Sequence, residues 1–153
     1  MNNKYLLGLC LIFILMLSCG CASAMQQHNF GNDFSMNVPD GTNFEKIESE
    51  LYDDLPFEET DYMDEGSETI IGYVNDAMIS EENVDCNYDV LFRMFNPDLN
   101  ECLEYHQDNL KVLEPESKDG FAVVGLHQDN KTVILIGHDV NQLIEMMGSV
   151  EFN

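Results

Sequence analysis

The chain has 153 residues, 44% of them hydrophobic, with 29 acidic side chains against six basic ones and a formal net charge of −23. That length suits one domain with a real core rather than two. The charge excludes nucleic acid as a partner, because such binding needs Lys and Arg to neutralise phosphates, and it excludes docking on anionic lipid through a basic face.

The first residues read MNNKYLLGLCLIFILMLSCGCASAM, with Lys4 as their only charge. A short positive end, an apolar stretch and small residues after it form an export signal, so residues 1–24 are expected to target the chain out of the cytoplasm. A buried core helix would instead show a polar stripe. Three exits fit. Ala22-Ser23-Ala24 offers a cut before Met25. Gly20-Cys21 and Ser18-Cys19 offer lipoprotein processing, with Cys21 or Cys19 carrying the lipid. Left uncut, the uncharged run from Tyr5 is long enough to span a bilayer, which takes about 20 apolar residues. Each exit leaves the remainder extracellular, either secreted or attached to the membrane through its N-terminal anchor.

Residues 25–31 read as a short tether, and residues 32–153 as the single acidic domain. Asp33–Val38 alternates and predicts a strand stopped at Pro39-Asp40-Gly41. From Glu48 to Glu68 lie ten acidic residues interleaved with aromatic and aliphatic ones. Within that run Asp61, Asp64 and Glu65 suggest calcium, which needs several oxygen ligands close together. Their spacing is not that of an EF-hand, and the competing reading is a solvated acidic loop.

Thr69–Val74 is β-branched and aromatic, a second strand. Ser80–Phe95 has helical spacing, and after Asn96-Pro97 the residues Leu99, Cys102, Leu103 and His106 predict a second, shorter helix. Leu110–Leu113 reads as a strand. Phe121–His127 and Thr132–His138 form a hairpin through Gln128-Asp129-Asn130-Lys131. The run Val133–Ile136 is apolar at consecutive positions and predicts a central strand covered on both faces. Asp139 caps a last helix, Val140–Met147, which Gly148 stops, and Val150–Phe152 returns as a short strand.

Cys86 and Cys102 are the thiols outside the export segment, a natural disulfide pair in an exported chain. A bridge would stabilise by about 3 kcal/mol on the loop-entropy model. On one continuous helix the two would lie about 24 Å apart, so a bridge requires a reversal at Asn96-Pro97; the alternative is two separate small buried thiols. No C-x-x-C or histidine cluster points to zinc. Asn130-Lys131-Thr132 is an N-glycosylation acceptor in a turn. With Asp129-Asn130 as the turn, His127 faces Thr132 and His138 faces Phe121. The two histidines then stand about 20 Å apart along the strands, too far to share an ion. There is no G-x-S-x-G elbow, H-E-x-x-H, P-loop or G-x-G-x-x-G, so no catalytic residue is assigned.

The strand ending at Asn37-Val38-Pro39-Asp40-Gly41, a central helix, the hairpin FAVVGLHQDNKTVILIG, the D-x-x-x-L-x-x-M helix and a closing S-V-E-F together resemble the PsbP-like, or Mog-type, sandwich. They are also similar to small uncharacterised secreted or lipid-anchored proteins of methanogenic archaea. The resemblance implies an α+β fold, an antiparallel sheet flanked by helices as an α/β/α sandwich, used as a non-enzymatic accessory or partner-binding module. The reading is therefore a surface-held binding module for an envelope protein, without a cofactor. Its alternatives are a divalent-cation binder using residues 48–68, and a small hydrolase.

Overall fold

A computed structural model describes residues 24–47, 59–75 and 102–153. The chain there runs β1 (Met25–Phe30), β2 (Phe34–Pro39), β3 (Glu45–Ile47), β4 (Glu59–Asp64), β5 (Thr69–Asn75), β6 (Cys102–Gln107), β7 (Leu110–Pro115), β8 (Ala122–Gln128), β9 (Lys131–Gly137), helix α1 (Val140–Met147) and β10 (Glu151–Phe152). Every strand pairing is antiparallel. One sheet has the order β1-β2-β10, the other β3-β4-β5-β9-β8-β7-β6.

The period-two pattern of the large sheet builds its core face. Register places Tyr62, Ile71, Leu135, Val124 and Val112 side by side across five strands, and Tyr73, Val133, Leu126 and Leu110 in the adjoining row. All of these are buried. The small sheet contributes Phe30, Phe34, Met36 and Val38 to the same core, and α1 contributes Leu143, Met146 and Met147. The aromatic rings join the layers: Phe30 stacks on Phe34 at 4.8 Å and meets Tyr62 and Phe44 edge-on at 5.0 and 5.6 Å.

The β8–β9 hairpin follows its sequence signals. Asp129 and Asn130 both have left-handed backbone, φ 52° and 62°, as a two-residue turn matched to strand twist requires. His127 pairs with Thr132 as the turn predicts. β9 lies in the middle of the large sheet, and Val133 to Ile136 are buried without alternation, so both of its faces are covered. Asp139 caps α1 by accepting from the amides of Asn141 and Gln142, each at 3.1 Å, and Gly148 ends it.

The expected α+β class, a PsbP-like α/β/α sandwich flanked by helices, is overturned. About 60% of the described residues are in strands, arranged in two antiparallel sheets with one short helix. Three segments account for the difference. Residues 25–30, read as a tether, form β1 and pair with β2 along its whole length. The acidic run contributes β4, paired with β3 and β5. Residues 102–107, expected to lie on a helix, form β6 paired with β7 through a two-residue turn at Asp108-Asn109. At β6 the three- and four-residue steps among Cys102, Leu103 and His106 suit a helix, but pairing with β7, which sets Tyr105 opposite the buried Val112, prevails. The helix expected over Ser80–Phe95 lies outside the described residues.

Candidate functional site

Strand β4 ends in the turn Glu65-Gly66-Ser67-Glu68, and Asp64 organises it. Its Oδ2 accepts from Ser67 N at 2.9 Å and from Ser67 Oγ at 2.6 Å, while Oδ1 accepts from Asn43 N at 2.8 Å. A carboxylate bonding to the amide three residues on is a turn-forming device. The third bond ties that turn to the segment leading into β3. Asp64 is only 6% exposed. Burial works to raise its pKa, but the bonds from Ser67 Oγ and from the amides of Asn43 and Ser67 prevail and hold the carboxyl below its ordinary value.

Beside it opens a cleft of about 300 Å³, lined among others by Asn43, Glu45, Ile47, Met63, Asp64 and Glu65. Asn43 Nδ2 donates to Glu45 Oε1 at 3.1 Å, so two of the acidic groups are engaged within the fold. Of the residues that suggest calcium, Asp64 and Glu65 share this cleft and Glu65 is exposed. Asp61 is buried, pairs with Gly72, and stands three residues before Asp64, which puts the two carboxyls on opposite faces of β4. Among the described residues, no group of three or more His, Cys, Asp or Glu side chains is placed to hold a metal ion.

The two histidines of the β8–β9 hairpin region are tied to their own surroundings. His127 Nδ1 lies 2.8 Å from Thr132 Oγ1. At the other end of the hairpin, His138 Nε2 lies 3.1 Å from Glu68 Oε2, its Nδ1 lies 3.3 Å from Gly120 O, and its ring sits 4.0 Å from that of Phe121. Three tyrosines carry raised pKa values. Burial is the main cause for each, with the charge of Asp33 adding to it at Tyr62 and Tyr73, and a hydrogen bond to Glu114 at Tyr105.

Cys102 begins β6, half-buried and opposite Pro115. Its expected partner Cys86 lies outside the described residues, as do the lipid candidates Cys19 and Cys21. Asn130 is exposed at the tip of the β8–β9 hairpin. The residues that sequence reasoning missed are Asn43, Glu45 and Ser67. The spacing Asp64-x-x-Ser67 is a legible turn signal, whereas Asn43 reaches Asp64 only through the pairing of β3 with β4. Comparison with models of protein families and with curated proteins finds no match to this chain.

Proposed function

We propose that the chain is a non-enzymatic binding or accessory module, exported and held at the cell surface by its N-terminal segment, with Cys21 or Cys19 bearing the lipid. The observation that carries the reading is the end of the large sheet. Among the described strands β6 is the last on its side, and its Leu103 is 60% exposed. An edge strand offers backbone N–H and C=O groups to an extended segment of a partner, and an apolar side chain beside them adds area to bury. The net charge of −23 favours a segment with basic residues and speeds its encounter.

The cleft supports the same reading. A general acid or base must exchange its proton with a substrate. Asp64, the buried carboxylate of the cleft, is committed to three bonds that hold the scaffold together.

The test is affinity capture from cell envelopes with the folded exported chain as bait, beside Leu103→Lys, which places a charge on the edge. The proposal expects a reproducible envelope protein on the unaltered bait and its loss on the variant. Repeated failure with folded bait, or equal capture by both, contradicts it.

A further inference from the structure

The acceptor sequence Asn130-Lys131-Thr132 is divided by the fold. Asn130 is exposed in the two-residue turn. Thr132, two residues on, is fully buried in β9, with its hydroxyl oxygen 2.8 Å from His127 Nδ1. Lys131 between them is pinned as well: its ammonium donates to Asn153 O at 2.6 Å and lies 5.7 Å from the centre of the Phe152 ring. N-linked transfer modifies the Asn amide of an Asn-x-Thr sequence, and the transferase recognises the Thr hydroxyl along with it. In the closed hairpin the amide is accessible and the hydroxyl is not.

We infer that Asn130 carries an N-linked glycan in the exported protein, and that the glycan is attached before the β8–β9 hairpin closes. The inference rests on the export reading, since the donor is met along that route. The donor is an oligosaccharide linked through phosphate to a lipid. Asn130 Nδ2 forms a bond to the anomeric carbon of the sugar as the bond from that carbon to the phosphate oxygen breaks. The lipid phosphate leaves with the electron pair, and the amide proton passes to a base. The finished fold accepts the product, because the modified residue is at an exposed tip and the core is untouched.

The full chain is expressed in a host whose export route carries N-linked transfer, recovered from outside the cell, and examined by intact mass and peptide mapping. A glycan is expected on the peptide containing Asn130 and absent from Asn130→Gly, where glycine keeps the left-handed turn. Folded, unglycosylated chain given to membranes of the same host stays unmodified, while the same chain unfolded, or a peptide spanning 126–137, accepts the sugar. Exported chain with a bare Asn130 overturns the glycan and leaves export standing. Folded chain modified as fast as the peptide overturns the order of events. A chain that never leaves the cytoplasm overturns the export reading and the glycan with it.

Discussion

Replacing Asp64 tests how the acidic segment is used. Its carboxylate receives three hydrogen bonds of 2.6–2.9 Å and is nearly buried, and two of the donors are backbone amides of different segments. A hydrogen bond to a charged group contributes roughly 1.5–3 kcal/mol, and a donor left unsatisfied costs about as much. Water reaches the partly buried amides after truncation, so the three bonds do not add in full. Asp64→Ala is expected to cost about 2–4 kcal/mol, and Asp64→Asn, which keeps one acceptor oxygen, about half of that. Urea titration at neutral pH should show a lower midpoint at unchanged slope. The pH dependence gives a second arm. The folded pKa is lowered, so the stabilisation is fully present above the unfolded carboxyl value of about 4 and is lost as pH falls through the lowered folded value. The gap between the unaltered chain and Asp64→Asn should therefore close on acidification. A change within about 0.5 kcal/mol at neutral pH, the usual range for surface substitutions, or a gap that persists in strong acid, would mean that the Asp64 carboxylate does not hold the turn.

Phe30 touches Phe34, Phe44 and Tyr62, so Phe30→Ala should destabilise by about 3–5 kcal/mol; a denaturant midpoint near that of the unaltered chain would mean that β1 does not pack as described. A methyl group at Gly137 would stand 3.3 Å from both Leu143 Cδ2 and Thr69 Oγ1. Gly137→Ala should accordingly cost about 1 kcal/mol as the buried Leu143 and Thr69 side chains yield by a few tenths of an ångström, read as a small fall in Tm. Tyr62, Tyr73 and Tyr105 have raised folded pKa values, so their contribution is present below about pH 10 and lost as pH rises through those values. Phenolate absorbance should show these three ionising late, and Tyr62→Phe should remove one late ionisation. Early ionisation of all three in folded chain would count against their burial.

The sequence was most readable where local and tertiary preferences agree. In the stretch 121–148 the Asp-Asn turn, the apolar run of β9, the Asp139 cap and the Gly148 stop each specify the element that forms. Strands β1, β4 and β6 were hidden for different reasons. MQQHNF is mostly polar because β1 buries only Phe30 fully. ETDYMD places buried carboxyls at Asp61 and Asp64, where a strand with one wet face would show solvent-facing ones. CLEYHQ has apolar residues at spacings that serve helix and strand alike. Of the candidate site, the sequence signals only Asp64 and Glu65, as ion ligands. Their setting depends on Asn43 and Glu45, which strand pairing brings in from about 20 positions away.

The most direct test of a surface-held binding module is a crosslink at its edge. A photo-reactive side chain at position 103, in chain exported by living cells, should give a discrete adduct with an envelope protein. The same group at the exposed loop residue Lys118 should not. Properly exported, folded chain that forms no adduct at 103, or forms the same one at 118, would contradict the account.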